Sequence, residues 1–156
     1  MSLWTLSTLA EAAGGHLEGV AGDTPVTGIS IDSRTLMPGD AFFAITGVSM
    51  DGHRFVDAAL AAGASAAVVS SGTASRAIRV EDTLAALENA GRAARSRLGP
   101  VPVVSVTGSV GKTGTKEMLR LAFGAGGLAH ASAASFNNQW GVPLTLARMP
   151  ADADAG

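Results

Sequence analysis

Short apolar runs alternate with turn-forming residues along most of the chain, a pattern typical of a mixed α/β fold. Positions 26–31 alternate apolar and small polar residues, and positions 41–45 form a buried-type apolar run. Because Pro38-Gly39 is a typical turn between such runs, the two strands are predicted to form a hairpin-like pair. Further strands are predicted at 66–69 and 77–80, and helices at 7–13, 54–62 and 83–98.

Gly99-Pro100 ends the last of these helices and predicts a domain boundary, with residues 1–98 before it and 99–156 after it. An apolar run at 101–106 then suits a central parallel strand. A helix at 113–123, a short strand at 128–131 and a helix at 143–149 are predicted to follow. These elements are too few to close the core of a doubly wound α/β domain, so we expect the sequence to be a piece of a longer protein.

Composition excludes several classes of function. The 156 residues are 47% hydrophobic, which is enough to build a core, and they carry a net charge of -2. Because both signs of charge are interspersed, the surface offers no field for non-specific capture of nucleic acid or anionic membrane. The sequence has no cysteine and no secretory signal at its N-terminus, so we expect a cytoplasmic protein.

The residues most suggestive of chemistry form the segment 108–113, Gly-Ser-Val-Gly-Lys-Thr, called the phosphate loop below. An apolar strand, a loop with two glycines and a Lys-Thr pair opening a helix let backbone N–H groups surround a polyphosphate. Lys112 would supply positive charge, and the Thr113 hydroxyl would bind the magnesium ion that bridges the outer phosphates. The only lysines in the chain, Lys112 and Lys116, both lie at this loop.

The match to the common eight-residue motif is incomplete, because Val106 stands where the outer glycine is expected. Gly108 and Gly111 are required in this interpretation for their backbone angles and for close approach of a phosphate. The alternative is a turn with no ligand. The strand, loop and helix around the segment favour phosphate binding.

Several sequence blocks share a specific resemblance. The segment 107–113 resembles the shortened phosphate loop of the Mur ligases and folylpolyglutamate synthetases, with Val110 in place of a frequent asparagine. Two blocks, 116–118 and 136–146, resemble the Mur ligases that add the final dipeptide to the peptidoglycan precursor. Five blocks of the first half resemble the uridine-nucleotide domain that those enzymes share with the Mur ligases that add diaminopimelate or lysine before them: 31–34, 38–40, 42–44, 46–47 and 51–53. The resemblance implies an N-terminal α/β uridine-nucleotide domain with a mixed sheet, followed by the beginning of a P-loop α/β ATPase domain.

The resemblance also implies an activity, cofactors and partners. The expected reaction is ATP-dependent and Mg²⁺-dependent addition of D-alanyl-D-alanine to UDP-N-acetylmuramoyl-tripeptide through an acyl phosphate, without nucleic-acid or membrane partners. Lys112 and Thr113 would be catalytic, Thr113 would also bind the metal, and two further sets of residues would bind ligands. The ATP-binding set is Gly108, Ser109, Val110, Gly111, Lys112, Thr113 and Gly114, and the substrate-binding set is Ser33, Thr46, Gly47, Asn137 and Asn138.

Parts that such a ligase needs are not recognisable in the sequence: a magnesium-binding carboxylate beyond the loop, a carbamylated lysine and a third domain. We therefore expect the 156-residue chain alone to be inactive. Two alternatives remain, a UDP-sugar-binding module without catalysis and an unrelated P-loop kinase or NTPase. Ser33 and Thr46 also fit simple turn positions, and Asn137-Asn138 fits a polar loop. His53 could contact substrate, but it also fits a helix-entry or surface position.

Overall fold

The computed structural model describes residues 2–47, 50–132 and 139–156. The strands are β1 Trp4–Thr5, β2 His16–Glu18, β3 Pro25–Val26, β4 Gly28–Ser30, β5 Asp40–Phe43, β6 Ala66–Val69 and β7 Ala77–Arg79. The α-helices are α1 Leu6–Ala13, α2 Val56–Ala61, α3 Thr83–Arg97, α4 Lys112–Gly124 and α5 Gly141–Ala147, and a 3-10 helix at Gly52–Phe55 precedes α2.

A five-stranded mixed sheet in the order β2-β7-β6-β5-β4 forms the centre of the fold. The strands β4, β5, β6 and β7 are parallel, and β2 joins one edge antiparallel to β7. The strands β1 and β3 form a separate antiparallel pair. The predicted mixed α/β class is confirmed, and the carboxyl ends of four strands lie along one edge of the sheet.

The core lies on both faces of this sheet. Phe42 and Phe43 are neighbours in β5, and successive side chains of a strand point to opposite faces. Phe43 packs in a cluster with residues of α1, α3 and α5, whereas Phe42 packs in a second cluster with residues of α2. Both side chains are buried. Helices therefore cover the sheet from two sides, and its carboxyl edge remains between them.

Side-chain caps determine where two of the helices begin. Thr5 and Thr8 form a reciprocal capping box at the start of α1, and Gly14 ends that helix with φ of 73°. Asp82 starts α3, because its Oδ1 accepts hydrogen bonds from the backbone N–H groups of Leu84 at 2.8 Å and Ala85 at 2.9 Å. The capped end of α3 lies directly after β7, beside the carboxyl edge of the sheet.

The predicted hairpin between 26–31 and 41–45 is wrong, because β4 and β5 pair in parallel. The Pro38-Gly39 turn lies beside the beginning of β4, where the backbone N–H of Thr27 donates to the carbonyl of Gly39 at 3.0 Å. The chain between β4 and β5 therefore runs back to the amino ends of the strands before β5 begins. As a result, the segments that follow β4 and β5 meet at the same edge.

The second segment contains less regular structure than its sequence predicts. Residues 101–107 and 128–132 carry no assigned strand, contrary to the strands expected at 101–106 and 128–131. Backbone contacts nevertheless align these stretches with the residues at 155–156, through Val104 N–H to Gly156 O at 2.8 Å and a bridge between Ala129 and Ala155. A central strand needs partners along its length, and here only isolated pairs form.

The helix α4, which is described throughout, contains no buried residue. Its exposed apolar side chains include Met118 and Leu121. Among the described residues, none of the helices combines the length and the apolar character required to span a membrane.

The helix α5 packs on α3, although the two helices lie on opposite sides of the predicted boundary. Leu144 and Ala147 are buried in the cluster that also contains Phe43 and Leu87. Gly91 allows the close approach, since a side chain there would meet the carbonyl of Pro143 at 3.0 Å. The division at residues 98 and 99 stays a prediction, and α5 shares the core of the first segment.

Arg97 joins the end of α3 to both flanking segments. Its guanidinium lies 4.0 Å from the centre of the Trp4 ring, and its nitrogens donate to the carbonyls of Leu3 at 3.0 Å and Met149 at 2.6 Å. Burial lowers the pKa of this guanidinium, so the contacts must offset a desolvation penalty.

Arg97→Ala is expected to lower the free energy of unfolding by about 1.5 to 3 kcal/mol, because it removes charge-assisted hydrogen bonds and the contact with Trp4. Urea denaturation followed by tryptophan fluorescence measures the change. Arg92→Ala on the same helix is the control, since its exposed side chain pairs with Glu88 and Asn89 of α3 itself, and it should change stability by less than about 0.5 kcal/mol. Equal effects of the two substitutions would contradict the anchoring role of Arg97.

Candidate functional site

The phosphate loop leads directly into α4, whose first residue is Lys112. Gly108 has φ of 146° and Gly111 has φ of 79°, both in the range that side-chain-bearing residues rarely adopt. Gly111 caps α4 and supplies no side-chain hydrogen bond to its first turn. The positive end of the helix dipole therefore faces the loop, as anion binding requires.

The Lys112 ammonium folds back onto the loop, where Nζ donates to the carbonyl of Gly108 at 2.5 Å. The loop is exposed, and the side chain of Val110 is 89% accessible. Lys112 is therefore held by one backbone oxygen at the position where a phosphate group would approach. A phosphate oxygen carries more negative charge than a carbonyl oxygen and would compete for the ammonium.

A cavity of about 660 Å³, called the loop cavity below, opens beside the phosphate loop. The residues that line it come from the segment 103–106, the phosphate loop, α4, the segment 129–132, α5 and the last part of the chain at positions 149, 155 and 156. Lys116 forms part of the wall and is tethered by its Nζ to the carbonyl of Ser132 at 2.8 Å. His130 lies opposite, with Nε2 2.8 Å from the carbonyl of Thr145, and burial lowers the pKa of its imidazole. A cavity of this volume is in the range of small-molecule sites.

The described residues offer few ligands for a metal ion. Thr113 lies in the first turn of α4, as the magnesium prediction requires. The Glu117 carboxylate forms ion pairs with Lys116 at 3.0 Å and with Arg120 at 2.8 Å. The hydrogen bond from Arg120, and after it the one from Lys116, lowers the pKa of this carboxyl. Within 2–47, 50–132 and 139–156, no group of three or more His, Asp or Glu side chains is placed to hold a metal. Thr113 would therefore act with phosphate oxygens and with ligands from elsewhere.

The predicted nucleotide residues of the first segment lie at the carboxyl edge of the parallel strands. Ser33 follows β4, and Thr46 and Gly47 follow β5. Ligands of open α/β sheets bind at this edge. A side chain at Gly47 would approach Cη2 of Trp140 within 3.1 Å, so the indole immediately before α5 lies against this segment. Ser33, Thr46 and Gly47 are thus brought to one edge, whereas Asn137 and Asn138 lie outside the described residues.

Asp32, next to Ser33, forms a two-point ion pair with Arg34, with Oδ2 2.6 Å from Nη2. The side chain of Arg34 and then its backbone N–H lower the pKa of the Asp32 carboxyl from 3.8 to about 2. Because the pKa is lowered in the folded state, the pair stabilises the fold above pH 3.8, and this stabilisation is lost as pH falls toward 2. The contribution is small, since the pair is largely exposed.

Arg34→Ala is expected to raise the pKa of Asp32 part of the way back to 3.8, because the backbone hydrogen bond remains. A carboxyl-carbon NMR titration of wild type and variant measures the change. Asp32 titrating identically in both proteins would show that the ion pair is absent in solution.

Sequence reasoning did not single out Ser70, Glu81 and Thr83, which line a second cavity with Thr46 at the same edge. Their positions could have been recognised from the sequence, because each of the three residues follows a predicted strand and these strands prove to be parallel. The predicted hairpin gave no indication of a shared edge, because the segments that follow the two strands of a hairpin lie at opposite edges of the sheet. His53 lies in the 3-10 helix at Gly52–Phe55, in agreement with a helix-entry position, but its side chain is only 12% exposed and contacts Asp51 and Ser70.

Comparison with known proteins places both segments in one family. Residues 25–97 match the family model described as Mur ligase family, catalytic domain, and residues 106–156 match the Mur ligase middle domain. The phosphate loop lies in the second match and the carboxyl-edge residues lie in the first.

Curated relatives are identical to this chain at about a third of the positions that align. The UDP-N-acetylmuramoyl-tripeptide–D-alanyl-D-alanine ligase of Synechocystis is 37% identical over 99% of this chain and 35% of the relative. The enzyme of that name from Escherichia coli is 36% identical over 96% of this chain and 33% of the relative. The chain therefore spans about a third of the length of the curated relatives it matches.

Solved structures agree with the sequence relatives. A D-alanyl-D-alanyl ligase of Acinetobacter baumannii superposes with a TM-score of 0.85 and 32% identity, covering 97% of this chain and 35% of the other. The MurF ligase of Thermotoga maritima, solved in complex with ADP, gives a TM-score of 0.63 at 32% identity over 82% of this chain and 30% of the other. Family models on both sides of residue 98, close sequence relatives and the shared fold establish that the chain belongs to the Mur ligase family.

Proposed function

We propose that the protein carrying this chain is an ATP-dependent ligase that joins D-alanyl-D-alanine to UDP-N-acetylmuramoyl-tripeptide in peptidoglycan precursor synthesis. The observation that carries the proposal is the phosphate loop, with both glycines at positive φ and Lys112 opening α4 beside the loop cavity. It occurs in a chain that aligns over 99% of its length with a relative named for this reaction. ATP as cosubstrate supports action in the cytoplasm.

In the proposed reaction, an oxygen of the peptide carboxylate attacks the terminal phosphorus of ATP, and ADP leaves as an acyl phosphate forms. The dipeptide amine then attacks the acyl carbon, inorganic phosphate leaves and the nitrogen loses a proton. Lys112 would leave the Gly108 carbonyl and offset charge on the transferring phosphoryl group. Gly108, Ser109, Val110, Gly111 and Gly114 would surround the phosphates through their backbone.

Thr113 would be the ligand that this chain supplies to a magnesium ion, which would neutralise part of the charge of the ATP phosphates. Residues 1–98 would bind the UDP-muramoyl peptide through Ser33, Thr46 and Gly47, and residues 99–156 would begin the ATP-binding domain. Trp140, packed near Gly47, supports a close spatial relation between the two ligands. Asn137 and Asn138 precede this tryptophan in sequence and would position the substrate.

The test uses the full-length protein with ATP, magnesium, UDP-N-acetylmuramoyl-tripeptide and D-alanyl-D-alanine. Formation of ADP and of the dipeptide-extended product should be equal in amount and should cease when the dipeptide or the ATP is omitted. Binding of the UDP-linked peptide without any turnover would favour the UDP-sugar-binding module instead. Family membership already excludes the unrelated P-loop kinase or NTPase.

A further inference from the structure

The ammonium group of Lys116 joins the helix that follows the phosphate loop to another wall of the loop cavity. Its Nζ donates to the carbonyl of Ser132 at 2.8 Å, across 16 positions of the chain. Lys116 lies four residues after Lys112 on α4, so the two side chains share one face of the helix, and both line the cavity. They are the only lysines of the chain, but they have different partners.

Apolar packing contributes little to the position of α4. Every residue of this helix is described and none is buried, although it carries apolar side chains such as Leu121. Most helices of folded proteins are held in place by a buried apolar face. The side chain of Lys116 is 21% exposed, and its hydrogen bond to Ser132 is charge-assisted. This contact therefore matters more for the position of α4 than it would for a helix with a buried face.

Ser132 belongs to the segment 129–132, which is tied in turn to α5. The backbone N–H of His130 donates to the carbonyl of Ala155 at 2.9 Å. Its imidazole contacts α5, where Nε2 donates to the carbonyl of Thr145 at 2.8 Å. The helix α5 packs on α3 and contributes to the core of the first segment. The hydrogen bond to Ser132 therefore connects the phosphate-loop helix to a wall that is fixed on that core.

Lys116 is less suited than Lys112 to contact a phosphate group directly. Its ammonium has two partners, the carbonyl of Ser132 and the carboxylate of Glu117 at 3.0 Å. Because hydrogen bonds from Arg120 and Lys116 lower the pKa of the Glu117 carboxyl, this group is ionised at neutral pH. A phosphate that approached Lys116 would be repelled by this carboxylate and would have to displace the carbonyl.

We propose that Lys116 is a positioning residue for the ATP site, which acts through the carbonyl of Ser132 to hold α4 and the phosphate loop in place relative to the segment 129–132. It contacts neither ATP nor the reacting atoms. The proposal rests on the proposed function, because it concerns how the phosphate loop is presented to ATP.

A positioning role affects binding and the later chemical step differently. Without the hydrogen bond to Ser132, α4 would sample other positions, and only a fraction of the molecules would be competent to bind ATP. The apparent dissociation constant then rises by the inverse of that fraction. Once ATP is bound, its contacts with the phosphate loop and with the rest of the cavity restore the arrangement. KM for ATP should therefore rise while kcat stays almost unchanged.

The test uses Lys116→Met in the full-length protein, because methionine keeps most of the side-chain length and removes the donor. KM for ATP and the Kd of ADP should each rise about 10-fold, as expected for the loss of one hydrogen bond from a charged group, and kcat should change by less than about twofold. Glu117→Gln is the matched control. It removes the carboxylate partner of Lys116 but leaves the carbonyl of Ser132, so it should retain the wild-type values.

Hydrogen exchange of the backbone amides of α4 gives a second measurement that does not depend on turnover. Without nucleotide, residues 112–124 should exchange faster in Lys116→Met than in the wild type, and saturating ADP should reduce the difference. A residue that only contacted a phosphate would leave exchange in the nucleotide-free protein unchanged. Because α4 contributes no buried residue to the core, the rest of the protein should stay folded, which thermal unfolding checks.

An unchanged KM for ATP in Lys116→Met, or identical exchange of residues 112–124 in this variant and the wild type, would overturn the positioning role. An equal loss of affinity in Glu117→Gln would contradict it as well, because the ion pair and not the hydrogen bond to Ser132 would then hold the helix. If the wild type binds neither ATP nor ADP, the proposed function fails. The exchange comparison of the nucleotide-free proteins can still be made in that case, so the two failures are distinguishable.

Discussion

Replacing Lys112 by alanine in the full-length protein is expected to lower the rate of ligation by about 10²- to 10³-fold, with folding unchanged. The substitution removes the ammonium that would offset charge on the transferring phosphoryl group, and a methyl group cannot replace it. Its hydrogen bond in the structure is to the exposed loop carbonyl of Gly108, so stability should change by less than about 0.5 kcal/mol. Steady-state ligation rates and thermal unfolding of the same preparation measure both effects.

Two companion variants sharpen this prediction. Lys112→Arg retains the charge but not the compact ammonium, so it should also be impaired, though less than the alanine variant. Arg92→Ala removes an exposed cation from α3, distant in sequence from the phosphate loop, and should ligate at the wild-type rate. A stable Lys112→Ala protein with a near-normal rate would refute the assignment of 108–113 as the phosphate loop.

The phosphate loop could be predicted from sequence because its geometry depends on adjacent residues. Gly108 and Gly111 permit backbone angles that other residues rarely adopt, and Lys112 begins the helix at the predicted place. The mixed α/β class was predictable for a similar reason, because short apolar segments between turn residues identified β4, β5, β6 and β7. The atoms that an ammonium or hydroxyl group contacts in the folded chain cannot be predicted from its neighbours in the sequence.

The second cavity at the carboxyl edge, lined by Thr46 and Ser70 among others, depends on contacts between residues that are far apart in the sequence. A turn at Pro38-Gly39 suits either a hairpin or a return before a parallel strand, and only packing against β6 selects the parallel arrangement. The contact of His53 with Ser70 spans 17 positions and joins the 3-10 helix at Gly52–Phe55 to the residue that follows β6. His53 belongs to the block 51–53, but its position there does not indicate a contact with Ser70, which no sequence pattern singled out.

The helix α5 is the clearest case in which chain order misleads. It follows the phosphate loop in sequence, yet its apolar side faces α3 and the cluster containing Phe43. The indole Nε1 of Trp4 donates to the carbonyl of Ala147 at 3.0 Å, and Arg148 Nε donates to the carbonyl of Ile29 at 2.6 Å. Segments before residue 98 therefore contact α5 through packing and through hydrogen bonds.

Leu144→Ala is accordingly expected to lower the free energy of unfolding by about 2 to 5 kcal/mol, the range for a large aliphatic side chain removed from a core. Leu144 is 1% exposed and lies between α3 and the sheet, so its loss leaves a cavity in the cluster shared by both segments. Urea denaturation measures the change. Trp4 and Trp140, the only two tryptophans of the chain, report from the N-terminus and from the start of α5.

Val142→Ala provides a matched control on the same helix, because it also shortens an aliphatic side chain but at a position that is 66% exposed. Its effect should stay below about 0.5 kcal/mol. If α5 instead belonged to a unit that folds separately from the sheet, Leu144→Ala would destabilise only that unit and leave the main transition of residues 1–98 at its wild-type midpoint. Because Leu144 packs in the same cluster as Leu6, Phe43 and Leu87, we expect the transition of the first segment itself to move to lower urea concentration.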